Sequence, residues 1–297
     1  MIHLTGEEPP LGDRPRDRST LMSRTMILAA ASLLAFMSID AQAVRKGKTA
    51  GGIAYDVQGS GPALVLITGS NLDRRMWTRE AEWLAKQYTV VRYDLRAHGE
   101  SDTATREFSH HGDLIELLDA LQIQKATLIG LSAGAFIALD AALDIPHRVE
   151  RIVLAGPGVT GYTGKNPPQF PPEMFAALGA RDYRRVSEIL LKTPVFAAAP
   201  ESQALVRQMV TENERLWTVD RKLMKTQPPT INRLAQVAVP TLVIVGEKDL
   251  YQRDHAELVA ARVPGAKLVV VPGGGHIVNL TSPKEFEAAV RSFLGKR

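Results

Sequence analysis

The 297-residue chain contains no cysteine. That excludes disulfides, thiolate nucleophiles and cysteine-based metal sites together, and it fits an exported protein without demonstrating export. Aromatic residues make up only 6 % of the chain, and no stripe interleaves them with basic side chains. The 36 Lys and Arg outnumber 32 Asp and Glu, but the net +4 charge is spread along the sequence with no basic run. Nucleic acid is therefore not an expected partner. No apolar stretch reaches the ~20 residues a bilayer-spanning helix needs. There is also no His/Asp/Glu cluster at metal-ligand spacing and no Gly-rich phosphate loop, so neither metal nor cofactor is expected. The 45 % hydrophobic content is enough to bury one substantial core.

The first 43 residues stand apart. Met1 to Thr20 is polar, and Met22 and Met26 are alternative starts. Arg24 precedes an apolar run from Met26 to Met37, and Ala41-Gln42-Ala43 follows. A charged start, a short apolar core and small residues at the cut are the marks of a secretory signal peptide. Cleavage is expected after Ala43, giving a periplasmic or secreted protein with no stable membrane span. An uncleaved, anchored form is the alternative.

From Val44 onward the chain reads as alternating strands and helices. Two extended segments around Gly51-Gly52 predict an opening antiparallel pair. Ala63–Ile67, Thr89–Tyr93, Ala126–Ile129, Arg151–Ala155, Thr241–Val245 and Lys267–Val271 are short β-branched or aliphatic runs of the kind that form buried parallel strands. Asp73–Lys86 predicts a helix, and Leu114, Leu117, Leu118 and Leu121 recur at helical spacing. At the end of the chain, Ser282 as N-cap, Pro283 at the first helical position and Glu285 as the partner of a capping box mark a last helix. From about 159 to 237, prolines cluster at both edges of charged, helix-forming segments without a strand-like run, which predicts a helical insertion in one domain spanning 44–297. Strand–helix alternation means a mainly parallel sheet covered on both faces. In such sheets ligands collect beyond the strands' carboxyl ends, so the loops after Ile67, Ile129, Val245 and Val271 should converge on one rim.

One stretch carries chemistry directly. Gly130-Leu131-Ser132-Ala133-Gly134 lies between a strand and an Ala/Leu-rich helix. A G-x-S-x-G in that setting is a nucleophile elbow, a turn tight enough to thrust the serine hydroxyl clear of the sheet. An unassisted hydroxyl is too weak a nucleophile and needs a base. His276, in a Gly-rich loop directly after a strand, is the candidate, histidine being the side chain best suited to taking and returning a proton. Asp249, after the preceding strand, is the candidate to orient it, with Glu247 and Asp254 as local rivals.

These pieces, with Gly59-Ser60-Gly61-Pro62 and Asp94-Leu95-Arg96-Ala97-His98-Gly99, resemble α/β-hydrolase fold enzymes of the single-domain esterase, lactonase and peroxidase-like group. The resemblance runs from about residue 52 to the C-terminus, and the order Ser…Asp…His is that family's. It implies an α/β class fold, a mostly parallel eight-stranded sheet with helices on both faces and a helical cap. It also implies an oxyanion hole from the backbone N–H groups of Ser70 and Ala133. Two positions depart from the pattern. Thr68-Gly69 stands where His-Gly is usual, with the Thr68 hydroxyl available to support the loop, and Ala97 stands where Gly is common. His98 is expected to hold its loop rather than to react. A serine at the elbow disfavours the related dehalogenases and epoxide hydrolases, which use aspartate there.

The leading expectation is hydrolysis of an ester or lactone, a small-molecule substrate, through an acyl-enzyme. An aminopeptidase of the proline iminopeptidase type, a carbon–carbon bond hydrolase and a perhydrolase or acyltransferase would use the same three residues. The aminopeptidase would need acids such as Glu173, Glu188, Glu212 or Glu214 for a substrate amine. A small-molecule binding protein of the same fold is the non-enzymatic alternative. For the substrate pocket the candidates are Asn71, Phe175, Leu178 and Trp217, with Met174, Phe196, Leu216 and Met224 as further apolar possibilities. Oligomeric state is not legible.

Overall fold

The computed structural model describes residues 43–167 and 169–295. The expected signal segment therefore lies, apart from Ala43, outside the described residues. Strands β1 (Arg45–Lys48), β2 (Ala54–Gln58), β3 (Ala63–Ile67), β4 (Thr89–Tyr93), β5 (Ala126–Leu131), β6 (Val149–Ala155), β7 (Thr241–Gly246) and β8 (Lys267–Val271) form one sheet. The order across it is β1-β2-β4-β3-β5-β6-β7-β8. β2 pairs antiparallel with both neighbours, and every other pairing is parallel. The helices are α1 (Thr78–Leu84), α2 (His110–Ala120), α3 (Ala133–Asp144), α4 (Pro172–Gly179), α5 (Tyr183–Leu190), α6 (Pro200–Glu212), α7 (Arg253–Arg262), α8 (Val278–Thr281) and α9 (Pro283–Leu294).

Alternation along the strands sends successive side chains into two separate cores. On one face Leu64, Leu66 and Ile129 pack with Trp77, Leu84, Phe286 and Val290, under α1 and α9. On the other, Val65, Ile67 and Leu128 pack with Leu114, Leu117, Ala138 and Val259, under α2, α3 and α7. The interior strands β5 and β7 are buried at every residue, as expected of strands covered on both sides. The edge strand β1 carries Arg45, Lys46 and Lys48 and is largely exposed; such charge discourages pairing with another chain.

Between β6 and β7 the described residues form α4, α5, α6 and five short 3-10 turns. Val186, Val206, Met209 and Val210 from this insertion join the core under α1 and α9. Among the described residues no helix is long and apolar enough to cross a membrane.

Two local expectations need correction. The helix expected over Asp73–Lys86 is a 3-10 turn, Arg74–Trp77, followed by α1. Asp73 caps the turn by accepting the Arg75 N–H at 3.1 Å. The capping box at Ser282 does not form: the Ser282 side chain makes no cap bond. Its N–H instead closes α8, donating to the Val278 carbonyl at 3.0 Å. One residue ends a helix and starts the next, so the donor that Glu285 would have satisfied is already taken.

Candidate active site

Ser132 joins β5 to α3 with φ 52° and ψ −112°, a region costing an L-residue on the order of 1–3 kcal/mol. The strain persists because the main chain around it is over-determined. Ser132 N–H donates to the Ala155 carbonyl at 2.8 Å, and the Ser132 carbonyl accepts from Phe136 N–H at 3.1 Å. A Cβ at Gly134 would lie 2.3 Å from the Ile67 carbonyl oxygen, and one at Gly130 would lie 2.1 Å from the Gly134 carbonyl oxygen. Only glycine fits either position, which is the physical content of the G-x-S-x-G pattern.

β3 is the neighbour of β5, so Gly69-Ser70-Asn71 leaves its strand beside the elbow. Among the described residues, neither the Ser70 nor the Ala133 N–H is spent on an internal hydrogen bond. Asn71 is buried with φ 62°, and its N–H donates to His98 Nε2 at 3.2 Å. The other ring nitrogen, Nδ1, lies 2.9 Å from the Arg96 carbonyl. A carbonyl only accepts and an N–H only donates, so this ring is neutral with its proton on Nδ1. Burial lowers its pKa and favours that form. His98 thus holds its own loop, as expected, and also the neighbouring loop that presents Ser70. Thr68 gives that loop no side-chain support, since it is fully buried with its hydroxyl unpartnered. Ala97 adopts φ 64°, the left-handed backbone that glycine would take more cheaply.

The insertion reaches this loop from outside. The Arg215 guanidinium donates to the carbonyls of His98, Gly99 and Ser101. Asn213, 1 % exposed, accepts from Gly99 N–H at 2.6 Å and donates to Asp73 at 3.0 Å. Sequence reasoning missed both residues, because nothing in the local pattern marks contacts more than a hundred residues apart.

On the other side of the rim, Asp249 follows β7 and His276 follows β8. Both are buried, and His276 Nδ1 lies 2.7 Å from Asp249 Oδ2. Asp249 Oδ1 accepts the Gln252 N–H at 3.3 Å. The rivals are committed elsewhere: Glu247 accepts Gly273 N–H, and Asp254 accepts from Tyr162 O–H and Lys165 N–H.

Ser132 and His276 line the same cavity of about 260 Å³, with Ser70 and Asn71 on its wall. No hydrogen bond joins Ser132 to His276 among the described residues; such contacts are often loose without substrate. The rest of the wall is largely apolar: Leu72, Leu131, Phe170, Met174, Leu190, Val195, Phe196, Trp217 and Ile277, with Thr193, Tyr251 and Gln252. Of the pocket residues expected from sequence, Asn71 and Trp217 are there, and Phe175 and Leu178 are not. Phe175 is 62 % exposed, because α4 turns its neighbour Met174 inward instead. Leu178 packs against the hydrophobic core, while Leu216 and Met224 also lie outside the lining. None of Glu173, Glu188, Glu212 and Glu214 lines the cavity; Glu212 pairs with Arg75 and Glu188 with Arg184 and Arg185. Tyr251 and Gln252 were legible in principle, two and three residues beyond Asp249.

A doubly covered, mostly parallel sheet with an elbow serine and a His–Asp pair at its carboxyl rim defines an enzyme class, hydrolases of the α/β type. The sequence pattern of the alpha/beta hydrolase family matches residues 64–289, and the chain belongs to that family. It is similar to a hydrolase from Pseudomonas aeruginosa of solved structure, with 29 % identity, 85 % of this chain and 98 % of the other covered, and a TM-score of 0.67. A solved N-acyl homoserine lactone degrading enzyme is 28 % identical over 84 % of this chain and all of its own, with a TM-score of 0.68. A putative carbamate hydrolase from Pseudomonas syringae is 27 % identical over 252 residues, 78 % of this chain and 93 % of that one.

Proposed function

We propose that the protein is a serine hydrolase cleaving a carboxylic ester or lactone through an acyl-enzyme on Ser132, His276 and Asp249. The observation that carries this reading is the 2.7 Å His276–Asp249 contact opening on the cavity that also holds the strained elbow serine. The Asp249 carboxylate accepts only, so it holds the imidazole proton on Nδ1 and leaves the Nε2 lone pair free as a base. As Ser132 Oγ bonds to the substrate carbonyl carbon, its proton passes to Nε2. The carbonyl oxygen gathers negative charge facing the Ser70 and Ala133 N–H groups, each such donor being worth roughly 10²–10³ in rate. Collapse breaks the carbon–oxygen bond to the alcohol, which leaves with the proton from Nε2. Water then attacks the acyl carbon, gives a proton to Nε2, and the acid departs as that proton returns to Ser132 Oγ.

The relatives' names span degradation of a lactone, hydrolysis of a carbamate and hydrolysis without a stated substrate, which supports a hydrolytic reaction more than any one substrate. The expected outcome is that Ser132→Ala abolishes turnover of p-nitrophenyl esters, and that a fluorophosphonate labels the native protein at Ser132 and nowhere else by peptide mass spectrometry. Unlabelled Ser132 in folded protein, with turnover surviving the substitution, overturns the reading. Export, resting on the pattern of residues 24–43, belongs to the same proposal.

A further inference from the structure

The region around His276 has two compartments. The inner cavity touches Ser132, Ser70, Asn71 and His276 and carries no Asp, Glu, Lys or Arg side chain. A second cleft of about 390 Å³ touches His276 and Asp249 but not Ser132, Ser70 or Asn71. The two share Val195, Tyr251 and His276, so one substrate can occupy both.

Chemistry assigns the halves. The acyl carbon must sit against Ser132 and the Ser70 and Ala133 N–H groups, so the inner, apolar cavity takes the acyl chain. The leaving alcohol receives its proton from His276, so it lies on the histidine side and extends into the second cleft. Two cations line that cleft, Lys165 and Lys248. Neither ammonium has an ion-pair partner among the described residues. The one carboxylate on the wall, Asp249, is already paired with His276.

The other nearby acids and bases are spent or exposed. Asp254 accepts from Tyr162 O–H, Glu247 accepts from Gly273 N–H, and Arg253 pairs with Glu257. Both lysines rise from fixed backbone. Lys248 N–H donates to the Gly274 carbonyl at 2.8 Å, and Lys165 N–H donates to Asp254. We propose that the second cleft is a leaving-group subsite for an anionic alcohol, and that the substrates are esters with a compact apolar acyl chain and a carboxylate on the alcohol part. The inference rests on the hydrolase reading above and favours an open ester over a lactone, whose alcohol does not depart.

The test uses p-nitrophenyl butanoate and the same ester carrying a carboxylate on the nitrophenyl ring. Taking the ratio of their kcat/KM within each variant cancels ring effects on reactivity. Lys248→Gln is expected to lower the anionic-to-neutral ratio about threefold, and Lys165→Gln combined with Lys248→Gln about tenfold, the range of solvent-exposed ion pairs. Charge reversal in Lys248→Glu is expected to lower it further, and added salt should reduce the wild-type ratio but not that of the double variant. A ratio that the double variant and Lys248→Glu leave unmoved, with both esters turned over, overturns the subsite alone. No turnover of either ester, with Ser132 unlabelled by the fluorophosphonate, overturns the hydrolase reading and the subsite with it.

Discussion

On the Ser132 side of the cavity, position is set by main chain: Ser132 by its φ of 52° and two backbone bonds, Ser70 by a loop whose next N–H is held by His98. On the opposite side it is set by side chains, with Asp249 after β7 and His276 on a Gly-rich loop meeting through one 2.7 Å contact. The first arrangement is encoded in what cannot be present, a Cβ at residues 130 and 134. The second is encoded in what must be present, a carboxylate and an imidazole. Substitutions on the two sides should therefore fail differently, the one through folding and loop placement, the other through chemistry in an intact fold.

The sharpest way to break that contrast is Asp249→Asn. It keeps size and burial but replaces an acceptor-only group with one that also donates, releasing the His276 tautomer. The expected outcome is a loss of about 10⁴ in kcat with the thermal midpoint close to wild type, read by steady-state kinetics beside a melt. A collapse in stability of the same size as the kinetic loss would erase the distinction.

A smaller effect comes from the contact between α1 and α8. Glu80 in α1 is 1 % exposed with Oε2 unpartnered, near Asn279 of α8, whose Oδ1 is also unpartnered. Burial raises the Glu80 pKa to about 7. A carboxyl whose folded pKa exceeds its unfolded value of about 4.5 contributes stability that is full below about 4.5 and lost as pH rises through 7. Glu80→Gln, always neutral, is therefore expected to gain on the order of 2 kcal/mol relative to wild type at about pH 8 and little at about pH 4.5. Denaturant melts at the two pH values check it, and an equal effect at both would show that Glu80 does not titrate in this window.

The smallest effect is expected from His98→Phe, which fills the space but removes the acceptor for Asn71 N–H. A fall of about tenfold in kcat with little change in KM, largely restored in His98→Gln, is the outcome of a loosened Ser70 donor, part of the 10²–10³ such a donor supplies. A parallel rise in KM, or no rescue by glutamine, would mean that the ring acts through packing.

Much of the fold and the site is readable in the sequence, for identifiable reasons. The strands are short β-branched runs bounded by glycine and proline, and a sheet buried on both faces leaves no other use for them. The elbow and His276 announce themselves because glycine beside a strand end is expensive unless geometry requires it. The orientation of the insertion is not readable. Met174 and Phe175 are equally apolar neighbours, and only packing against Leu190 and Phe196 decides which faces the cavity. The failed capping box at Ser282 has the same origin, a local pattern overruled by the helix that happens to end there.

The contacts from Asn213 and Arg215 bear on how new specificities could arise on this scaffold. Because those two residues grip the main chain at 98–101, the roof of the cavity is fastened to the turn that steadies the Ser70 amide. Grafting a foreign cap for a different substrate would cut that fastening unless the Asn and Arg were carried across. Selection for substrate range and selection for turnover are coupled here through the short stretch of backbone that both residues hold.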